Sequence, residues 1–310
     1  MTSPLYIVFI LLCPTAVLSQ SVEVDGILKV FEMDTFNTEN LLVVKRPDGT
    51  LAGRLVASLP PPVEDTTRTL QTDLFLTSAI CNCPNLPPAM IQSLLDNGYT
   101  VSDLVAFQVA IPDLLEAGVS VPDLLDAGIT PMILFDNGIA VIDLYGQTYG
   151  GGLIFYLDTM DVYPLFEGLI AAPVDQSPGS EWGCVSTFIG GTDSDIGFGS
   201  SNTTAIVLGC AESEIAARQC DDLFDGTYDD WYLPSMDELN LMWENLADSD
   251  GDDSNSGPGD PGNLGGFSDA FYWSSTETDA FFASSQYFSN GDQSLDNKIN
   301  AFYVRAARSY

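Results

Sequence analysis

From Ile91 onward the chain repeats itself every ten residues: IQSLLDNGYT, VSDLVAFQVA, IPDLLEAGVS, VPDLLDAGIT, PMILFDNGIA, VIDLYGQTYG. So short a period limits each block to one small unit, which cannot bury its apolar face without its neighbours. Thr100, Ser120 and Thr130 stand where helix caps belong. Asp103, Asp113 and Asp123 lie three residues beyond positions 100, 110 and 120, close enough to reach back to a free N–H. Pro131 occupies a first helical position, where its missing N–H costs nothing. Gly98, Gly118, Gly128 and Gly138 stop the helices in the left-handed conformation, and Tyr99, Val119, Ile129 and Ile139 fold back as the apolar residue after a Schellman stop. Leu94/Leu95, Leu114/Leu115, Leu124/Leu125 and Leu134/Phe135 are the expected buried pairs. The blocks predict a short helical solenoid of two-turn helices over residues 91–149, read as a spacer. Phe107-Gln108 replaces the residue–Gly pair of the second block, so an irregularity is expected there.

Ahead of the array, residues 5–18 form an apolar run of signal-peptide length ending in Val17-Leu-Ser19. Residues 1–19 are read as a signal peptide, with cleavage after Ser19 or Gln20. The run is too short to span a bilayer, and no later segment is long and apolar enough to anchor the chain. Secretion or display at the cell surface is the expectation. Residues 20–59 read as a β-hairpin segment: Val22-Glu-Val-Asp and Ile27-Leu-Lys-Val-Phe alternate like strands. Leu41-Leu-Val-Val-Lys-Arg and Leu51-Ala-Gly-Arg-Leu-Val flank the turn Pro47-Asp-Gly-Thr50. Residues 60–90 form a linker stiffened by Pro60-Pro-Pro62. It contains Cys81-Asn-Cys83, which can bind a metal, bond to another chain, or lie as a strained loop or two buried thiols.

Charge excludes whole classes of function. The chain carries 44 Asp+Glu against nine Lys+Arg, for a formal charge of −35. Such a surface repels phosphate backbones and anionic lipid and favours cations, Ca2+ first. Nucleic acid is therefore not an expected partner. The sequence has no His, which removes Ser-His-Asp and Cys-His nucleophilic sites and every His-ligated metal site. Carboxylate-pair hydrolysis survives that test, but with so many carboxylates no pair stands out. The chain is not expected to be an enzyme.

After Gly150-Gly-Gly152 the composition changes. Leu153-Ile-Phe-Tyr-Leu, Gly168-Leu-Ile-Ala-Ala-Pro173 and Phe302-Tyr-Val-Arg-Ala-Ala-Arg308 read as strands, and residues 212–220 as a short helix. Residues 231–246 carry the best helix signal. Ser235 and Glu238 form a capping box, and Leu239, Met242, Trp243 and Leu246 fall on one apolar stripe. Strands with segregated helices make residues 150–310 an α+β domain.

Six motifs of this stretch occur in one order: Gly152-Leu-Ile-Phe-Tyr-Leu, Leu169-Ile-Ala-Ala-Pro-Val-Asp-Gln176, Trp182-Gly-Cys184, Asp230-Trp-Tyr-Leu-Pro-Ser-Met-Asp-Glu-Leu239, Tyr272-Trp-Ser-Ser-Thr-Glu277 and Tyr303-Val-Arg-Ala-Ala-Arg308. Together they resemble the family typified by the C-terminal domain of the Legionella collagen-like adhesin, a domain of unknown function. The resemblance implies a C-type-lectin-like fold, an exported binding module often found in adhesins, a tendency to trimerise, and no catalysis. That adhesin is associated with sulfated glycosaminoglycans, which need clustered cations. Here Lys298, Arg305 and Arg308 are nearly all the domain offers, so a neutral glycan or a surface protein fits better. The alternative function is structural: assembly into a matrix or fibre through the hairpin and an odd cysteine.

The expected ligand-binding residues are Trp273, Ser274, Ser275, Glu277, Tyr287, Asn290 and Lys298, because an aromatic platform with hydroxyl and amide partners suits a sugar ring. The competing reading makes Trp273 and Tyr272 core residues packed on the Leu239/Trp243 stripe. Asp248, Asp250 and Asp252 alternate like the start of a calcium loop. Asp253 then stands where an EF-hand needs Gly, and Gly259 where it needs Glu. Ca2+ is the candidate ion, with a solvated acidic loop as the alternative. Asn202-Thr-Thr204 matches a glycosylation sequon. Helix over residues 212–219 would hold Cys210 and Cys220 about 15 Å apart at 1.5 Å per residue, so Cys184 is expected to pair with Cys210 or Cys220.

Overall fold

The computed structural model describes residues 86–252 and 257–310, together with the backbone of three strands nearer the N-terminus. These are β1 (Ile7–Phe9), β2 (Leu41–Lys45) and β3 (Leu51–Leu55). They form an antiparallel sheet in the order β1-β2-β3, with Leu41 opposite Leu55 and Lys45 opposite Leu51. The hairpin strands expected there are present. The Pro47–Thr50 turn, the cleavage site, the strands at 22–25 and 27–31, the Pro-rich linker, and Cys81 with Cys83 lie outside the described residues. The chain divides into two compact units, Met1–Ala127 and Gly128–Tyr310.

Short helices follow at ten-residue spacing: α1 (Pro88–Asp96), α2 (Val101–Ala106), α3 (Ile111–Glu116), α4 (Val121–Asp126), α5 (Pro131–Asp136) and α6 (Val141–Leu144). The first four belong to the first unit and the last two to the second. Thr100 and Asp103 close a full capping box, while Ser120 and Thr130 accept the N–H groups of Asp123 and Ile133. The N–H of Tyr99 donates to the Leu94 carbonyl and that of Gly98 to the Leu95 carbonyl, the two bonds of a Schellman stop.

Two details depart from expectation. Gln108 takes φ +61° where its neighbours place Gly, and Val109 still donates back to the Leu104 carbonyl, so the second stop is regular. Asp113 does not cap its own helix. Its carboxylate accepts the Leu86 N–H at 2.8 Å and is buried there, tying the start of the array to the third helix. Helix α1 packs against α3 and α2 against α4, with Ile91, Leu104, Leu114 and Leu124 fully buried.

The second unit is α+β. One antiparallel sheet runs β12-β6-β5-β4, from β4 (Thr148–Tyr149), β5 (Gly152–Leu157), β6 (Gly168–Ala171) and β12 (Ala307–Ser309). The other runs β10-β9-β8-β11-β7, from β7 (Ser177–Ser180), β8 (Phe271–Glu277), β9 (Phe282–Tyr287), β10 (Gln293–Asn297) and β11 (Phe302–Val304). Within the latter, β11 lies parallel to β8 and antiparallel to β7. The C-terminal stretch expected as one strand is thus two, and the chain changes sheets at Arg305-Ala306.

Three helices accompany these sheets: α7 (Gly199–Gly209), α8 (Ala216–Asp221) and α9 (Met236–Met242), the last extended by a π-helical turn at Trp243–Ala247. The Ser235/Glu238 capping box forms with both reciprocal bonds. Leu239, Met242, Trp243 and Leu246 bury their stripe against Phe155, Leu169, Tyr272 and Phe288, so α9 joins the two sheets in one core. Four such side chains removed from water contribute roughly 6–12 kcal/mol of gross burial free energy. Among the described residues no helix is long and apolar enough to cross a membrane.

Candidate functional site

Partners across an antiparallel ladder share a face, as do residues two apart along a strand. Phe271 faces Tyr287, and Trp273 faces Ser285, which in turn faces Ser294. One face of the five-stranded sheet therefore carries Phe271, Trp273, Tyr287, Ser285, Ser294 and Asp296. Tyr287, Phe271 and Phe302 form a stacked row across three strands, with ring centroids 4.7 and 5.0 Å apart and planes 25° and 22° from parallel. All three rings are half-buried. The hydroxyl of Tyr287 is held by Asp269, and that hydrogen bond raises its pKa. On the same face the Ser285 hydroxyl donates to Asp296 Oδ2 at 2.6 Å, Ser294 bonds to the same oxygen, and the Asn300 amide donates to Oδ1 at 3.3 Å. A row of stacked rings with half-exposed edges, beside an ordered hydroxyl–carboxylate–amide group, forms an apolar strip with a polar border, the make-up of an interaction surface.

Most residues expected on this surface have another role. Trp273 is fully buried beside Phe302, and its indole N–H donates to the Ser180 carbonyl at 2.9 Å. Ser274 is buried with its hydroxyl on the Ser284 carbonyl, and Ser275 accepts the Asn202 amide. Glu277 and Lys298 pair with each other, both side chains 0% exposed. Lys298 Nζ also donates to the Thr187 carbonyl at 3.1 Å and lies 4.3 Å over the Trp182 ring. Glu277 accepts the N–H groups of Ile189 and Gly190 at 2.9 and 2.7 Å. These five are corrected from surface to interior: each polar group that leaves water finds its partner inside. Of the expected set, Tyr287 and Asn290 remain accessible. Asn290 exchanges hydrogen bonds with Asp292 in the turn between β9 and β10. Phe271, Phe302, Ser294 and Asp296 were missed, although the alternation of Phe271 with Trp273 was a usable signal.

The remaining motif residues also serve the framework. Buried Arg305 donates to Asp175 at 2.7 Å and to the carbonyls of Ala172 and Gly265, and lies over the Phe267 ring. Asp175 also accepts the Tyr272 hydroxyl at 3.0 Å. Arg308 pairs with Asp230, and Arg218 caps the carbonyls of Val207, Cys210 and Glu212. Within residues 86–252 and 257–310 the four cations are all committed internally, which leaves no cluster for a sulfated ligand there. Asn202 of the sequon is buried, its amide bonded to Asp193 and Ser275, and so closed to glycosylation. A disulfide joins Cys184 to Cys210, and Cys220 is free and buried. The helix expected over residues 212–220 starts only at Ala216 and runs to Asp221, but the pairing lies within the expected set.

Asp248, Asp250 and Asp252 each place a carboxylate oxygen within 4.8 Å of the others, the donor chemistry Ca2+ takes. Asp250 packs so closely over Gly262 that a Cβ there would stand 2.4 Å from Oδ1. The Ser249 N–H and hydroxyl both bond to the Gly262 carbonyl, fixing the base of the loop. At Ca2+ about tenfold above its Kd, binding would stabilise the fold by about 1.4 kcal/mol, or roughly 3–6 °C in Tm. Thermal unfolding in millimolar Ca2+ is expected to show this rise, and the paired substitutions Asp250→Asn and Asp252→Asn to abolish it. A melting curve that ignores Ca2+ would remove the site.

No protein-family model matches the chain, and no curated protein matches it significantly.

Proposed function

We propose that this is an exported binding protein whose C-terminal domain, lectin-like by its motifs, presents the Tyr287–Phe271–Phe302 face to a neutral glycan or to another protein's surface. The ten-residue helices act as a spacer solenoid. The aromatic row is the observation that carries the reading. Three rings left half-exposed side by side lose burial free energy that the adjacent core could supply, and such strips on a soluble domain mark interaction sites. The ordered motifs and the apolar N-terminal run support export, and the committed cations favour a neutral ligand.

The test uses the full chain on an array of neutral and sulfated glycans. Neutral glycans are expected to be retained. Phe271→Ala and Tyr287→Ala are each expected to weaken binding tenfold or more, about 1.4 kcal/mol. Circular dichroism and Tm should confirm that both variants fold. If folded variants bind as well as the parent, the face is not the site. Selective retention of sulfated glycans would overturn the ligand class.

A further inference from the structure

A second surface lies between β5 and β6. The loop at residues 158–167 is held by its own hydrogen bonds. Asp158 accepts the Tyr163 N–H at 2.6 Å through its side chain and the Asp161 N–H at 3.2 Å through its carbonyl, and its own N–H reaches the Glu167 carbonyl at 2.8 Å. Asp161 turns the chain at φ +52°, and the Tyr163 and Phe166 rings stack at 5.4 Å. This frame turns three apolar side chains outward: Met160 is 81% exposed, Val162 59% and Leu165 93%. Phe198, 42% exposed, follows Gly197, where an added Cβ would stand 3.3 Å from the Phe166 ring and 3.9 Å from that of Tyr163.

Carboxylates rim this apolar crest. Asp161 and Glu167 are exposed in the loop itself, the charges of the exposed Asp195 and Asp237 reach Tyr163, and the exposed Asp193 neighbours Asp237. They crowd one another: after burial, the charges of Asp195 and Asp193 raise the pKa of Asp237. No cation within residues 86–252 and 257–310 relieves that repulsion, because Arg218, Lys298, Arg305 and Arg308 are bound elsewhere.

We propose that the crest docks a basic protein, one that offers an apolar pocket edged with Lys and Arg. Charge complementarity selects this occupant. A second copy would oppose carboxylates to carboxylates, and anionic lipid would be repelled. The loop's internal bonds fix its shape beforehand, so that little conformational entropy is lost on docking.

The test offers the full chain two fluorescent amphipathic helical peptides of one apolar Leu pattern, with Lys on the polar face of the first and Glu on that of the second. At 0.15 M salt the Lys peptide is expected to bind and the Glu peptide to fail. The triple substitution Met160→Ser, Val162→Ser and Leu165→Ser should weaken the Lys peptide at least tenfold, with Tm unchanged because all three side chains are exposed. Asp195→Asn with Asp237→Asn should weaken it several-fold and flatten its salt dependence. A triple variant that binds like the parent would reduce the effect to the chain's general charge and overturn the proposal. So would loop-dependent pelleting with phosphatidylcholine vesicles, which assigns the crest to lipid. Loop-dependent dimerisation in sedimentation would assign it to a second copy.

Discussion

Glu277→Ala is expected to lower the unfolding free energy by about 3–5 kcal/mol, because it leaves a buried ammonium without its counter-ion. The side chains of Lys298 and Glu277 are both 0% exposed, so water cannot replace the lost partner without opening the fold. The same change strips the Ile189 and Gly190 N–H groups of their acceptor and frees residues 189–190 from β8. Urea unfolding at neutral pH measures the loss. Glu277→Gln keeps one oxygen acceptor and should fall between the two. Converting the pair together, Glu277→Leu with Lys298→Met, should recover much of the stability, since no unpaired charge remains. Full recovery is not expected, because the two N–H groups still lack an acceptor. An unchanged midpoint for Glu277→Ala would show that the pair does not hold this loop.

That pair shows where reading along a sequence stops. Thr100 with Asp103, Ser235 with Glu238, and the Gly stops of the array were legible because each obeys rules that operate within one turn of helix. The partners of Lys298 and Arg305 obey no such rule. Asp175 lies 130 residues from Arg305 in the chain and meets it only when the two sheets close on α9. Trp273 was legible as an aromatic in a strand, and so was the choice between platform and core. What settles that choice is β7, whose Ser180 carbonyl takes the indole N–H from a strand 93 residues away. Helix α7 was missed because Gly-Ser-Ser-Asn-Thr-Thr is a run of weak helix formers. Its helix rests instead on tertiary bonds, notably Asn202 to Asp193 and Ser275, and Thr203 to Leu233. Several residues of the six ordered motifs make such long-range contacts: Trp182 to the Ser274 carbonyl, and Asp175 to Arg305 and Tyr272.

The capping residue of α9 makes the second large prediction. Burial pushes the Glu238 carboxyl up from 4.5 to about 7, against the N–H groups of Ser235, Gly197 and Gly199, which hydrogen-bond its oxygens and pull it down. A carboxyl whose pKa is higher folded than unfolded binds its proton more tightly in the native state. Its contribution is fully present below about pH 4.5 and is lost as pH rises through about 7. The loss is on the order of 3 kcal/mol. Asp237 is shifted the same way by burial and by Asp195 and Asp193, so wild-type stability alone would mix the two groups. Glu238→Gln separates them. It cannot titrate, and its carbonyl oxygen keeps the Ser235 N–H at the cost of an acceptor for Gly197. Unfolding free energies of both proteins should be measured from pH 4 to 8 at constant salt. The wild-type advantage is expected to shrink by about 3 kcal/mol across that range, most steeply between pH 5 and 7. A constant difference would mean that the three N–H groups and the positive end of α9 cancel the effect of burial, leaving the Glu238 carboxyl with the same pKa folded and unfolded.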